Sequence, residues 1–259
     1  MTSRIRVTVW GENFHERYER DRAGMAERYP SGMHGAIADG LAELLGDSVT
    51  VSTATQDQPE HGLTVEVLAS TDVLTWWGHA THSEVDDAVV DRVHQRVLGG
   101  MGLLVLHSAH FSKIFQRLMG TSCSLAWRNS GDTELVWSIN PSHPITAGIP
   151  QPIVINEHEM YGEFFDIPAP EELIFLSTFS SGEVFRSGCC WRRGKGKVFY
   201  FSPGDQAYPI YHHADVRRVL ANAVLWARPE QSTDFAAPEV VSQPAPYFNS
   251  RLVGEEVRA

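Results

Sequence analysis

The chain has 259 residues, 42% hydrophobic and 20% charged, which is core material for one large globular domain or two small ones. Its 21 Lys and Arg against 32 Asp and Glu give a formal net charge of -11, a poor match for nucleic acid or anionic membrane surfaces as partners. No apolar stretch approaches the roughly 18–20 residues of a membrane span. The start MTSRIRVTVW lacks a signal-peptide apolar region, and three cysteines make no disulfide framework, so a cytoplasmic location is expected.

Ile5 to Trp10 (IRVTVW) is rich in β-branched residues, ends at Gly11 and predicts a strand. The polar stretch GENFHERYERDRAGMAERYPSG that follows is too long for an ordinary turn and reads as a functional loop or a linker. A helix is predicted from Met33 to Leu45, with Ile37, Leu41, Leu44 and Leu45 at helical spacing. Ser48 to Ala54 and Val73 to Trp77 predict the next two strands. Glu84 to Leu98 predicts a helix on the repeat of Val85, Val89, Val93 and Val97. Leu103 to Leu106 (LLVL) has the continuous apolar run of a central parallel strand, and Ser112 to Met119 predicts a short helix. The second half is richer in strands: Ser124 to Trp127, Leu135 to Ser138, Ile153 to Ile155, Ile174 to Phe179, Val184 to Trp191 and Lys197 to Ser202. A closing helix from His213 to Ala227 is expected to turn Val216, Val219, Leu220, Ala223 and Leu225 inward. The alternation predicts an α/β fold with a mostly parallel central sheet in one domain, residues 1–228. Residues 229–259, with several prolines and no sustained period, read as an extended tail.

In such a sheet, ligands gather beyond the carboxyl ends of the strands. Glu12, His15 and Glu16 follow the first predicted strand, and His34 opens the next helix. His79 and His82 follow the third (WWGHATH), and His107, Ser108 and His110 the fourth (LHSAH). Six of the twelve histidines are thus expected at one rim. Two of the groups have His-x-x-His spacing, which lets both rings reach one point if the segment turns. Neutral imidazole with a carboxylate suits zinc and other first-row ions; candidate carboxylates are Glu12, Glu16, Glu157, Glu159 and Glu163. Histidines acting as acid and base would produce the same list.

Ser108 sits where a strand turns into a helix, the place of a nucleophile elbow, but His-Ser-Ala-His lacks the small flanking residues of that turn. A helix cap or a hydrogen-bonding role fits this serine better. Trp10, Trp76, Trp77, Tyr161, Phe164 and Phe165 lie in or beside the motifs and could stack on a sugar, although core packing explains most of them. Cys123, Cys189 and Cys190 fit no zinc spacing and read as small buried hydrophobes. The run Arg192-Arg193-Gly194-Lys195-Gly196-Lys197 reads as a hairpin turn.

The segments YPSGMHGAIADGL, ATQDQPEHGL, DVLTWWGHATHSEV, GMGLLVLHSAHFSKIFQRLMGTSC, NPSHPITAGIP, EMYGEFFDIP and GEVFRSG with GKVFYFSPG closely resemble the ThuA-like trehalose-utilisation family, from about residue 4 to residue 228. The resemblance implies a flavodoxin-like three-layer sandwich, similar to class I glutamine amidotransferases. It also implies a place in the breakdown of trehalose and related disaccharides, often beside dehydrogenases that make 3-keto sugars. Amidotransferases carry cysteine at the elbow, where this chain has Ser108. The segment Ser202-Pro203-Gly204-Asp205-Gln206 stands where the family commonly shows a His-Glu pair. Glutamine hydrolysis is therefore not expected.

The resulting expectation is a carbohydrate-metabolism protein acting on a keto-sugar by metal- or histidine-assisted isomerisation or proton transfer. The alternatives are a serine hydrolase using Ser108 and a non-catalytic sugar-binding protein. His107, Ser108 and Glu159 are assigned to catalysis, and His34, His79, His82 and His110 to a divalent metal, zinc or manganese. Trp10, Glu12, His15, Glu16, Trp77, Tyr161 and Asp205 are assigned to the substrate. A homo-oligomer with a small-molecule sugar substrate is expected.

Overall fold

The structure, a computed structural model, describes residues 4–19 and 24–230. Met1–Pro229 form one compact unit; the tail expected beyond lies outside the described residues, apart from Glu230. Among the described residues no helix is long and apolar enough to cross a membrane.

The first half is built from parallel strands and crossover helices: β1 (Ile5–Gly11), α1 (Phe14–Tyr18), α2 (Met25–Arg28), α3 (Gly32–Leu45), β2 (Val49–Thr55), α4 (Val65–Ala69), β3 (Val73–Trp77), α5 (Asp87–Leu98), β4 (Gly102–Leu106) and α6 (Lys113–Met119). The second half adds β5 (Ala126–Ser138), β6 (Ile153–Gly162), β7 (Glu172–Phe179), β8 (Val184–Arg193), β9 (Gly196–Phe201) and α7 (Ala214–Ala227). The nine strands lie in the order β2-β1-β3-β4-β9-β8-β7-β5-β6. The pairings from β2 to β9 are parallel and those from β9 to β6 antiparallel. The expectation of a mostly parallel sheet is corrected to a mixed one. Short loops join β7 to β8 and β8 to β9: the basic run closes the β8–β9 hairpin, with Arg193 opposite Gly196, and so tight a connection permits only antiparallel pairing.

Two cores cover the sheet's faces, and the two-residue period of the strands divides side chains between them. Leu104, Leu106, Phe199 and Phe201 pack with Ile37 and Leu41 of α3 and Val216, Val219 and Leu220 of α7. Leu103, Val105, Val198 and Tyr200 pack with Val89 and Val93 of α5 and Phe115 of α6. Leu225, expected inside, is 39% exposed; from Val216 the 3.6-residue period reaches Val224 and Ala227 instead, and those are buried.

Two strands are longer than their hydrophobic patterns. β5 spans 13 residues, the first five of them exposed, with register shifts around Asp132 that break the alternation. β6 continues past Ile155 through the Glu-His-Glu-Met-Tyr segment, which pairs with β5 as Trp127 opposite Tyr161 and Asp132 opposite His158. This extension carries Glu159 and Tyr161 into the site. The long polar stretch after β1 folds into α1 and α2, apart from residues 20–23, which lie outside the described residues.

Candidate active site

Backbone geometry sets the centre of the site. β4 ends at Leu106, and the next residue, His107, has φ 50 in the left-handed region. A non-glycine residue there stores strain, which persists only where surrounding contacts enforce it. The strained residue at the strand-to-helix elbow is therefore His107 rather than Ser108. Ser108 commits its hydroxyl to the Gly78 carbonyl at 2.8 Å. Behind His107, a Cβ on Gly204 would lie 2.2 Å from the Tyr211 hydroxyl and 2.9 Å from His107 Cβ, so only glycine lets the β9 loop close against the ring.

His107 is fully buried. Its Nδ1–H donates to the Ser202 carbonyl at 2.7 Å. Its Nε2 lies 3.1 Å from Glu159 Oε2, 3.6 Å from Asp205 Oδ2 and 3.2 Å from the Tyr161 hydroxyl. The Tyr161 ring stacks on the imidazole at 4.7 Å and 7°. Burial alone would lower this imidazole's pKa, but the hydrogen bonds and charges of Asp205 and Glu159 win and push it up to about 9. In turn, His107 holds Asp205 below the usual carboxylate range against the opposing effect of burial.

Beside this centre opens a cavity of about 280 Å³, lined by His79, His82, Ser108, His110, Phe111, Ser124, Leu125, Trp127, Glu159 and Tyr161. Imidazoles from two separate strand ends therefore meet in one place, together with the carboxylate and phenol of β6. Their tautomers follow from their partners. His110 donates Nδ1–H to the Cys123 carbonyl at 2.6 Å, which leaves Nε2 unprotonated. In the Glu19–His15–His79 chain, Glu19 accepts from His15 Nδ1 at 2.6 Å and His15 Nε2 lies 2.8 Å from His79 Nδ1. With His15 donating to the carboxylate, its Nε2 accepts from His79 Nδ1–H, and His79 Nε2 is left as a lone pair. Burial lowers all three cavity imidazoles: His79 in direction, His82 to about 4 and His110 to about 3.

The remaining expected residues have other places. Glu12 is buried and accepts from the backbone N–H groups of His79, Ala80 and Thr81 at 2.7, 2.8 and 3.0 Å. It shapes the loop after β3, with both oxygens held by backbone donors. Glu12→Gln should cost about 1–3 kcal/mol, because the amide keeps one acceptor and turns an N–H₂ toward backbone donors. Faster hydrogen exchange at the amides of residues 79–81 would show it; unchanged exchange would contradict this role. Glu16 accepts from Met33 N at the start of α3, and His34 lies 3.9 Å from it, with Nδ1 buried and without a hydrogen-bond partner. Burial lowers His34 despite the charges of Glu16 and Asp57. Neither residue lines the cavity. Trp10 is a core residue, not a substrate platform: it stacks on Trp76 at 4.0 Å and donates its indole N–H to the His61 carbonyl. Trp77 points to the opposite face and donates to the Gly204 carbonyl. Glu163 pairs with Arg186 and Glu157 is exposed. The cysteines are buried, and burial pushes their thiols up.

Of the expected ligand set, His79, His82 and His110 line the cavity and His34 does not. Among the described residues, the group whose ligand atoms all lie within 4.8 Å of one another is His107, Glu159 and Asp205. His79 and His110 are held by Nδ1 to His15 and to the Cys123 carbonyl, and His34 packs against Gly11. Two residues behind the site were not anticipated, the buried pair His158 and Glu134, with His158 Nδ1 2.7 Å from Glu134 Oε2. His158 Nε2 accepts from the N–H groups of Gly204 and Asp205 at 3.1 and 3.2 Å, which holds Asp205 in place. The signal was present in the Glu-His-Glu segment, but only its glutamates stood out as candidates.

The large mixed sheet and its helices define an α/β protein, compatible with a flavodoxin-like fold. Residues 6–227 match the ThuA family, described as trehalose utilisation, and the chain belongs to that family. A ThuA-like protein from Parabacteroides merdae ATCC 43184 has a similar structure, with 12% identity, TM-score 0.62, and 92% of this chain and 94% of that one covered. A ThuA-like protein from Bacteroides uniformis ATCC 8492 follows at 15% identity and TM-score 0.56, covering 87% and 92%. A protein from Salmonella typhimurium described as cytoplasmic has 12% identity and TM-score 0.54, covering 75% and 87%. At these identities the likeness concerns the fold. No curated protein matches the chain. Family membership connects the chain with carbohydrate utilisation.

Proposed function

We propose that the chain acts on a keto-sugar and moves a proton on the carbon next to its carbonyl. One observation carries this reading: His79 and His110, from two different strand ends, bring unprotonated Nε2 atoms to one cavity. At about 280 Å³ that cavity lies near the lower edge of the roughly 300–1,000 Å³ range of ligand sites, a size suited to a single sugar unit. Ser108, Tyr161 and Glu159 offer polar partners for hydroxyls, and Leu125 and Trp127 an apolar wall for a sugar's C–H face. The family's link to trehalose utilisation supports the carbohydrate class.

A C–H beside a carbonyl is acidified because the electron pair left behind spreads onto oxygen. His79 Nε2 takes that proton, and the positive charge it gains is shared through His15 with Glu19, which is partly exposed to solvent. The proton of the neighbouring hydroxyl passes to the former carbonyl oxygen and the abstracted proton returns to the former carbonyl carbon, so the carbonyl moves by one position with no net loss of atoms or electrons. His82 and His110 stay neutral at the operating pH and accept hydrogen bonds from substrate hydroxyls.

Deuterium uptake by 3-keto-glucose in D₂O, followed by NMR at the carbons flanking the carbonyl, tests the reading. Wild-type protein should speed uptake well above buffer, His79→Gln should lower kcat about 10²–10⁴-fold, and His110→Gln should act mainly on KM. No acceleration with the keto form of glucose or of trehalose would refute it; full activity in His79→Gln would remove that residue from the proposed role.

A further inference from the structure

We propose that His107, Glu159 and Asp205 form a binding site for one first-row divalent cation. Their ligand atoms come from three elements distant in sequence and lie within 4.8 Å of one another. An ion with bonds of about 2.0–2.2 Å spaces its neighbouring ligands about 2.8–3.6 Å apart, by tetrahedral or octahedral geometry. The observed separations from His107 Nε2, 3.1 Å to Glu159 Oε2 and 3.6 Å to Asp205 Oδ2, fall in that interval.

Three further features fit a cation. The His107 Nδ1–H bond to the Ser202 carbonyl fixes the ring as a metal-bound imidazole is fixed, its other nitrogen held by a backbone acceptor. Asp205 is 1% exposed and its Oδ2 has only His107 Nε2 beside it, at 3.6 Å and beyond close hydrogen-bond range, whereas its Oδ1 is held by Ala207 N–H at 2.7 Å. A buried carboxylate oxygen left so is costly unless a positive charge meets it. Finally, an ion that takes the place of the His107 Nε2 proton meets one imidazole and two carboxylates in a buried place, and a divalent charge balances the two carboxylates. Glu159 also lines the cavity, so an open coordination position would face that side. The donor set of one imidazole and two carboxylates suits zinc and manganese.

The proposal does not depend on the sugar reading, because binding is measured without substrate. Tag-free full-length protein, stripped with chelator and dialysed, is titrated calorimetrically with ZnCl₂ and separately with MnCl₂, and bound metal is counted by mass spectrometry. One ion per chain is expected for at least one metal, with a melting temperature that rises with ion concentration. Asp205→Asn and Glu159→Gln should each weaken binding at least about 100-fold and abolish that rise, while His34→Gln should leave the affinity unchanged. Far-UV circular dichroism confirms that the variants fold; should one not fold, the other decides. Failure of both metals to bind stoichiometrically, or equal affinity in wild type and a folded Asp205→Asn or Glu159→Gln, overturns the proposal.

Discussion

Replacing Glu134 with alanine should destabilise the protein by about 2–5 kcal/mol, because the buried His158 N–H and Ser177 hydroxyl each lose their acceptor at about 1–3 kcal/mol apiece. Glu134 is wholly buried, with Oε1 accepting from the Ser177 hydroxyl at 2.5 Å and Oε2 2.7 Å from His158 Nδ1. Because His158 Nε2 accepts two backbone N–H groups, its proton sits on Nδ1, toward Glu134. Without the carboxylate, that N–H is buried with no acceptor, and the ring loses the contact that aims it at Gly204 and Asp205. Urea unfolding monitored by circular dichroism measures the loss. Glu134→Gln, which keeps an acceptor, should lose clearly less than Glu134→Ala. A loss below about 1 kcal/mol for the alanine variant would show that the pair contributes little.

Acid should act on the protein well above the usual carboxylate range. His82 and His110 are neutral in the folded state, with pKa values of about 4 and about 3, but titrate near 6.5 once unfolded. Burial is the main cause for both. For His82 the charge of Glu12 opposes it and that of His79 adds to it; for His110 the charges of His107, His82 and His79 add to it. Since folding depresses these pKa values, the stability the two groups contribute is present above pH 6.5. It is lost as pH falls toward 4 for His82 and toward 3 for His110. At about 1.4 kcal/mol per pH unit and group, the drop between pH 6.5 and 4 amounts to several kcal/mol. His110→Asn should flatten the curve over this interval. A wild-type stability that is level from pH 6.5 to 4.5 would contradict the neutral burial of these rings.

Both predictions concern side chains whose surroundings were only partly legible in the sequence. The histidine groups after β3 and β4 were readable because a strand end announces itself within a few residues, by an apolar run followed by Gly78 or by a polar turn. Their meeting in one cavity follows from the parallel pairing of those two strands. Glu159 was found by composition, but its strand was not, since the register shifts near Asp132 and the charged residues of β6 hide the two-residue period. Trp10 was misassigned because an aromatic beside a motif looks the same in sequence whether it stacks on a ligand or on Trp76.

Local order of residues alone determined the alternating strands and helices of the first half, the hairpin of the basic run, the family resemblance and the rim where the chemistry gathers. Each of these depends on neighbours a few positions apart. The mixed sheet, the left-handed His107, the grouping of His107 with Glu159 and Asp205, and the support of His158 by Glu134 were decided by tertiary structure. Those contacts join residues 95 positions apart for His107 and Ser202, and 46 apart for His158 and Gly204. Only packing of the two cores around the sheet brings such residues within hydrogen-bond reach, and no periodicity along the chain records which partners will meet.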